Sequence, residues 1–259
     1  MTRPVHVLRA RLAEAQLAVM LLTRLPAGRI DEPVPAMAAA SWAFPLVGLI
    51  VGAITALVLS TTVWLGLAPA IAAGLALAAG IVATGGLHED GLADTADGFG
   101  GGRDRDHKLA IMRDSRIGTF GTLALLLTLG LRWSAVAALA NQDLHLTASA
   151  VVAIAIASRA GLPTILLLLP AARRDGLGHT AGGGTVLRAA VALAIGVAAL
   201  TLLIGHKAAL AIVILEIIIL WLMARLAIRH IGGQSGDVLG AMQQVADLCA
   251  WIALQRLTS

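Results

Sequence analysis

Tyrosine does not occur in this 259-residue chain, and aromatic residues together make up only 3% of it. The basic residues are therefore not interleaved with stacking aromatics, which excludes nucleic acid as a partner despite a net charge of +4 and a pI near 10.5. Cysteine occurs once, at Cys249. That excludes an internal disulfide and any zinc site of the CxxC kind, and leaves Cys249 as a packing residue. Charge is scarce too: Asp, Glu, Lys and Arg make up 13% of residues against 58% hydrophobic, with a mean hydropathy of +0.87. No ordinary soluble domain is so apolar. From Pro33 to Leu87 there is no Asp, Glu, Lys, Arg or His, a run with room for two bilayer crossings. The N-terminus is basic through Arg11 and apolar to Leu22, but it lacks a small-residue cleavage site, so no cleaved signal peptide is expected.

The expected fold is all-α, a polytopic integral membrane helical bundle of about six to seven transmembrane helices with its active site on the cytoplasmic side. Residues 1–259 read as one catalytic domain. An N-terminal amphipathic segment (1–32) is too short in its apolar part to span. Crossings are expected at 37–64, 69–87, 119–140, 147–169, up to 205, and up to 228, with turns near Gly66 and Pro69 and at the NQDLH segment. Segment 237–257 is either a seventh span or an amphipathic helix. Gly48 and Gly52 form a GxxxG pair suited to close helix contact. Lys and Arg collect before the first span, in 88–117 and in the glycine-rich segment 171–188, which places these three segments in the cytoplasm and the protein in a bacterial inner membrane.

The stretch from His88 to Gly121 holds seven of the fifteen carboxylates. Asp90, Asp94 and Asp97, spaced i, i+4, i+7, fall within roughly 60° of one helical face. Like charges so placed repel, and a hard divalent cation is the simplest relief. Gly100 and Gly101 follow, in a run that favours close backbone approach to a ligand. Then come Arg103, Arg105, Lys108, Arg113 and Arg116. Carboxylates suited to Mg²⁺ beside cations suited to phosphate is the pairing that a phosphoryl-transfer site needs.

A second constellation lies in 232–257, where Asp237, Gln244 and Asp247 share a face within roughly 80°. Asp237 also suits a helix N-terminus. Charges inside apolar segments are costly and draw notice: Arg132 and Arg225 read as snorkelling or pairing within the bundle, whereas Arg159 and Glu216 stay candidates for function.

LTRLP (Leu22 to Pro26), EDGLADTADGFGG (Glu89 to Gly101), MRDSRIGTFG (Met112 to Gly121) and GDVLGA (Gly236 to Ala241) make the chain resemble the adenosylcobinamide-GDP ribazoletransferases, also called cobalamin 5'-phosphate synthases. The likeness covers most of the chain, with Asp247 standing where members often have Glu. It implies a membrane enzyme that transfers the cobinamide phosphate of adenosylcobinamide-GDP to the ribose 3'-hydroxyl of α-ribazole or its 5'-phosphate, releasing GMP, with Mg²⁺ as cofactor. On that reading Asp90, Asp94 and Asp97 hold the metal, with Glu89 auxiliary. Arg103, Arg113 and Arg116, with Arg24, Arg159, Gly100 and Gly101, face phosphate. Asp237 or Asp247 completes the metal shell or acts as base, Asp94 takes part in catalysis, and His88 is a further base candidate. Besides the substrates and the bilayer, a homo-oligomer stays open.

Two other readings compete. A CDP-alcohol phosphotransferase wants DGxxAR followed by GxxxDxxxD, but Asp94 and Thr95 stand where Ala and Arg should be. A cation transporter would set its acids facing each other near mid-span, not beside five basic residues. The topology has a direct test: a single cysteine placed in segment 88–117 of a Cys249→Ala protein should resist an impermeant thiol reagent in intact cells and react once they are opened. Labelling from outside would overturn it.

Overall fold

The computed structural model describes residues 3–32, 34–173 and 184–258, with side chains from His6 onward, so 174–183 of the expected glycine-rich cytoplasmic segment lie outside the described residues. Described residues form helices α1 (Arg3–Leu22), α2 (Met37–Ala40), α3 (Phe44–Trp64), α4 (Pro69–Thr84), α5 (Leu87–Gly101), α6 (Arg105–Ile111) and α7 (Thr119–Gln142). They continue as α8 (Leu144–Ala160), α9 (Leu162–Leu168), α10 (Val186–Ile204), α11 (His206–Ile231) and α12 (Gly236–Thr258). Extended pairing among them is limited to one parallel bridge between Ala171 and Gln234.

The chain is an all-α polytopic membrane protein. Among the described residues five segments are long and apolar enough to cross a membrane: Met37–Trp64, Thr119–Gln142, Leu144–Leu168, Val186–Ile204 and His206–Ile231. They match five of the expected crossings closely. Gly66, with φ 86°, makes the expected turn, and Pro69 opens α4. A single residue, Asp143, joins α7 to α8, and its carboxylate caps α8 by accepting the Leu146 N–H at 2.9 Å.

The second expected crossing departs from the reading above. α4 stops at Thr84, and Gly85 and Gly86 take left-handed φ of 68° and 73°, a pair of conformations that side-chain-bearing residues resist. The chain turns by 88° there, so α4 and α5 make a sixth span only if the bent pair is counted as one. The acidic part of 88–117 is the helix that its i, i+4, i+7 spacing called for, packed against α7 and α12, with α6 following it. α12 is a continuous helix of 23 residues, less apolar than the five spans, and it buries Gln243, Gln244 and Asp247.

Small residues let these helices meet. A Cβ on Gly48 would collide with the Ala155 carbonyl, and one on Gly52 would sit 2.8 Å from the Val152 Cα, so the GxxxG pair seats α3 on α8. A Cβ on Gly91 would lie 2.7 Å from the Asp237 carbonyl oxygen, and one on Gly240 would lie 3.2 Å from the Cα of His88. The acidic motif and the C-terminal motif thus cross at bare backbone. Two apolar clusters flank the polar centre, one including Leu59, Leu139, Ile154 and Leu254, the other Phe44, Val47, Leu166 and Met242.

Gly48→Ala should lower detergent-phase stability by about 1–3 kcal/mol or more, because the obstacle is backbone and not a side chain that can turn away. Gly130→Ala, in open space on α7, should hold or raise it. Equal thermal-unfolding midpoints for the two variants would refute the close contact.

Candidate active site

The acidic stripe does not act as a unit, because each carboxylate meets different neighbours. Asp97 is buried and reaches across to the N-terminus of α7, where it accepts the Gly118 N–H at 2.6 Å and the Gly121 N–H at 2.8 Å. Gly118 has no side chain with which to cap α7, so a carboxylate from another helix does the work of an N-cap. Any Cβ at Gly118 or Gly121 would strike that carboxylate, which explains the glycines of the IGTFG motif. Each oxygen of Asp97 thus carries one backbone hydrogen bond that ties α5 to α7.

Glu89 is engaged through one oxygen. Its Oε1 accepts from Gln244 Nε2 at 2.9 Å and lies 3.6 Å from the Arg132 guanidinium, while its Oε2 is buried with no hydrogen-bond partner. Arg132 in turn donates to Gln244 Oε1 at 3.2 Å and to Asp247 at 3.3 Å. Gln244 donates to Gln243 at 3.0 Å, and Gln243 to the Ser158 hydroxyl at 2.9 Å. Arg159 is 3% exposed and donates to the Ala155 carbonyl at 2.9 Å. These residues line an enclosed cavity of about 60 Å³ within the bundle. A buried charge must be paired to be tolerated, and here one guanidinium answers two carboxylates. The expected pairing of Arg132 within the bundle holds, and its partners are Glu89 and Asp247. Arg225 lies 5.6 Å from the ring centre of Trp221, an intrahelical cation–π contact.

Asp90 and Asp94 remain, and they open onto a wide cavity of about 850 Å³ that Arg24 and Arg113 also line. Asp90 is exposed and Asp94 half-buried. Asp94 feels Asp90, Asp237 and Asp97 as like charges and Arg173 as the opposing one. Arg24 is fixed by its backbone, whose N–H donates to the Ala83 carbonyl at 2.9 Å, and its side chain packs over Gly85. Asp237 opens α12, accepts from the Ser235 hydroxyl at 3.3 Å and lies 3.9 Å from Arg173. Burial lifts the Asp237 carboxyl above its ordinary range, while Arg173 and the Ser235 hydroxyl pull it down. His88 is 2% exposed, stands between the enclosed cavity and a third, apolar one, and has no hydrogen-bond partner for either ring nitrogen.

The other expected phosphate ligands sit elsewhere. Arg116 is exposed and forks onto Asp114 at 2.7 Å, a hydrogen bond that holds the Asp114 carboxyl below the usual carboxylate range. Arg103 is exposed and does not border the wide cavity. Gly100 lies under the Phe120 ring and Gly101 near Ile111, so this run serves packing and not backbone approach to a ligand. Arg105 is a clamp, donating to the carbonyls of Ile231 at 2.9 Å and Ala172 at 2.6 Å. Arg173, which donates to the Leu109 carbonyl at 3.0 Å, was not singled out from the sequence. Its only sequence signal is a cation just past a span, opposite the Asp237 motif. Among the described residues no three His, Cys, Asp or Glu side chains converge into a preformed metal cage.

A family model for cobalamin-5-phosphate synthase matches residues 14–255. The chain belongs to that family. Proteins named adenosylcobinamide-GDP ribazoletransferase resemble it along nearly their whole length. The one from Bradyrhizobium diazoefficiens is 49% identical over 94% of this chain and 93% of its own. That from Mesorhizobium japonicum is 46% identical over 92% and 90%, and that from Azorhizobium caulinodans 40% over 92% and 93%. No solved structure matches. Family membership makes the protein an enzyme of cobalamin synthesis.

The Asp97 contact is open to test. Asp97→Asn keeps the shape but replaces one acceptor oxygen by a donor facing a backbone N–H, which should cost about 1–3 kcal/mol in thermal unfolding. Asp94→Asn should cost nothing measurable, since it relieves like-charge repulsion. Equal stabilities would refute the capping role.

Proposed function

We propose that the protein is an adenosylcobinamide-GDP ribazoletransferase of the bacterial inner membrane, joining adenosylcobinamide-GDP to α-ribazole or its 5'-phosphate and releasing GMP. The observation that carries this reading is the wide cavity onto which Asp90, Asp94, Arg24 and Arg113 open. At about 850 Å³ it is of the size expected for a nucleotide-linked substrate. The basic character of the N-terminal segment and of 103–116 supports a cytoplasmic opening.

Mg²⁺ fits Asp90 and Asp94. Crowded hard carboxylates beside an open cavity suit an ion that takes one or two protein ligands and fills its shell with water and substrate phosphate oxygens. When bound, the ion supplies neutralisation of charge building on the phosphate. Arg24 and Arg113 add fixed positive charge on the same wall and orient the pyrophosphate. In the reaction the acceptor hydroxyl gives up its proton and its oxygen forms a bond to the phosphorus bearing cobinamide. The bond from that phosphorus to the bridging oxygen breaks, and GMP leaves with the electron pair. Of the two carboxylate base candidates Asp237 is the better placed, because its burial raises its proton affinity and Asp247 is held by Arg132.

The test is GMP release from adenosylcobinamide-GDP and α-ribazole across a Mg²⁺ titration. Asp94→Asn should weaken the Mg²⁺ response and lower the maximal rate on the order of a hundredfold or more. Curves that superimpose on those of the unmodified protein would remove Asp94 from the metal site.

A further inference from the structure

A second cavity, of about 120 Å³, lies on the other side of Asp90. Its walls come from separate elements: Leu22, Phe44, Leu162, Leu166 and Leu239 are apolar and cover most of it. One end is different. There His88, Asp90 and Asp237 gather, and among the described residues no Lys or Arg lines the cavity, the cation beside it being Arg173, 3.9 Å from Asp237. Two carboxylates beside a single cation disfavour phosphate and accept hydrogen bonds from hydroxyl groups. Asp90 also borders the wide cavity, so a ligand in each would meet at that side chain.

We propose that this apolar cavity receives the aromatic base of the acceptor nucleoside, with the ribose hydroxyls turned toward Asp90 and Asp237. The inference rests on the reaction proposed above and assigns its two substrates to two compartments. At about 120 Å³ it is smaller than the roughly 150 Å³ that holds a benzene ring, so it takes one edge of the base and not the whole of it. Burial of a flat, uncharged ring is favourable here, whereas a phosphate would have to leave Arg24 and Arg113 for two carboxylates. A lipid acyl chain would fill the apolar part equally well but would make no use of the acids at its end. The arrangement brings the attacking hydroxyl to the edge of the compartment that holds the pyrophosphate, which is the proximity the reaction requires.

The experiment narrows the cavity and reads the two substrates separately. In detergent, with no donor present, α-ribazole binding is measured by titration calorimetry for the unmodified protein, Leu166→Phe and the volume-conserving Leu166→Met. Leu166→Phe should weaken α-ribazole at least about tenfold and Leu166→Met less than about threefold, with binding of adenosylcobinamide-GDP changed less than about twofold by either. Unchanged α-ribazole affinity in Leu166→Phe, the result a lipid occupant gives, overturns the proposal. So does equal weakening of both substrates. If Leu166→Phe does not fold, Leu239→Phe, on a partly exposed wall, is read by the same criteria. Selective loss of α-ribazole binding in a protein that never releases GMP would refute the reaction and keep the cavity assignment.

Discussion

A helix carrying Glu89, Asp90, Asp94 and Asp97 can fold back into an apolar bundle only if its buried acids find donors or cations, and Arg132 meets that need at the deep end of α5. One guanidinium answers Glu89 from α5 and Asp247 from α12, with Gln244 donating to Glu89 and accepting from Arg132. The bare-backbone crossing at Gly91 and Gly240 brings those helices close enough for it to do so. At the shallow end Asp97 ties the same helix to the start of α7. α5 is therefore held at both ends by polar contacts. Its middle, Asp90 and Asp94, is left facing open space.

That division explains how an i, i+4, i+7 stripe can be regular in sequence and heterogeneous in role. The regular spacing fixes which way the side chains point, but the neighbour each one meets depends on distant parts of the chain. Asp97 meets backbone amides at the glycine-bearing start of α7, Glu89 meets a buried arginine, and Asp94 meets an open cavity and other acids. Two acids and two arginines thus share the wall of one cavity.

Much of the fold was legible in the sequence because bilayer crossings are read from length and apolarity alone. The five spans and the turn at Gly66 and Pro69 follow from those two quantities. The break at Gly85 and Gly86 was not read, since two glycines inside an apolar run look like small packing residues until their φ values are known. Of the candidate site, Asp90, Asp94, Arg24, Arg113 and Asp237 were named and do gather around adjoining cavities. Arg103, Arg116, Gly100 and Gly101 were named by proximity in sequence and lie apart, because a run of cations spreads around a helix and its following loop. Arg173 comes from a segment remote from every motif. Only tertiary structure places it beside Asp237.

The network around Arg132 also sets an order on assembly in the membrane. Glu89 is joined to Gln244 across 155 residues of sequence, so α12 is synthesised long after α5. Until α7 and α12 arrive, Glu89 has neither its cation nor its amide, and lipid offers no substitute. The two-glycine hinge gives α5 freedom to stay apart from α4 in that interval. The two motifs are thus joined by a docking step, when α12 closes over a segment made long before it.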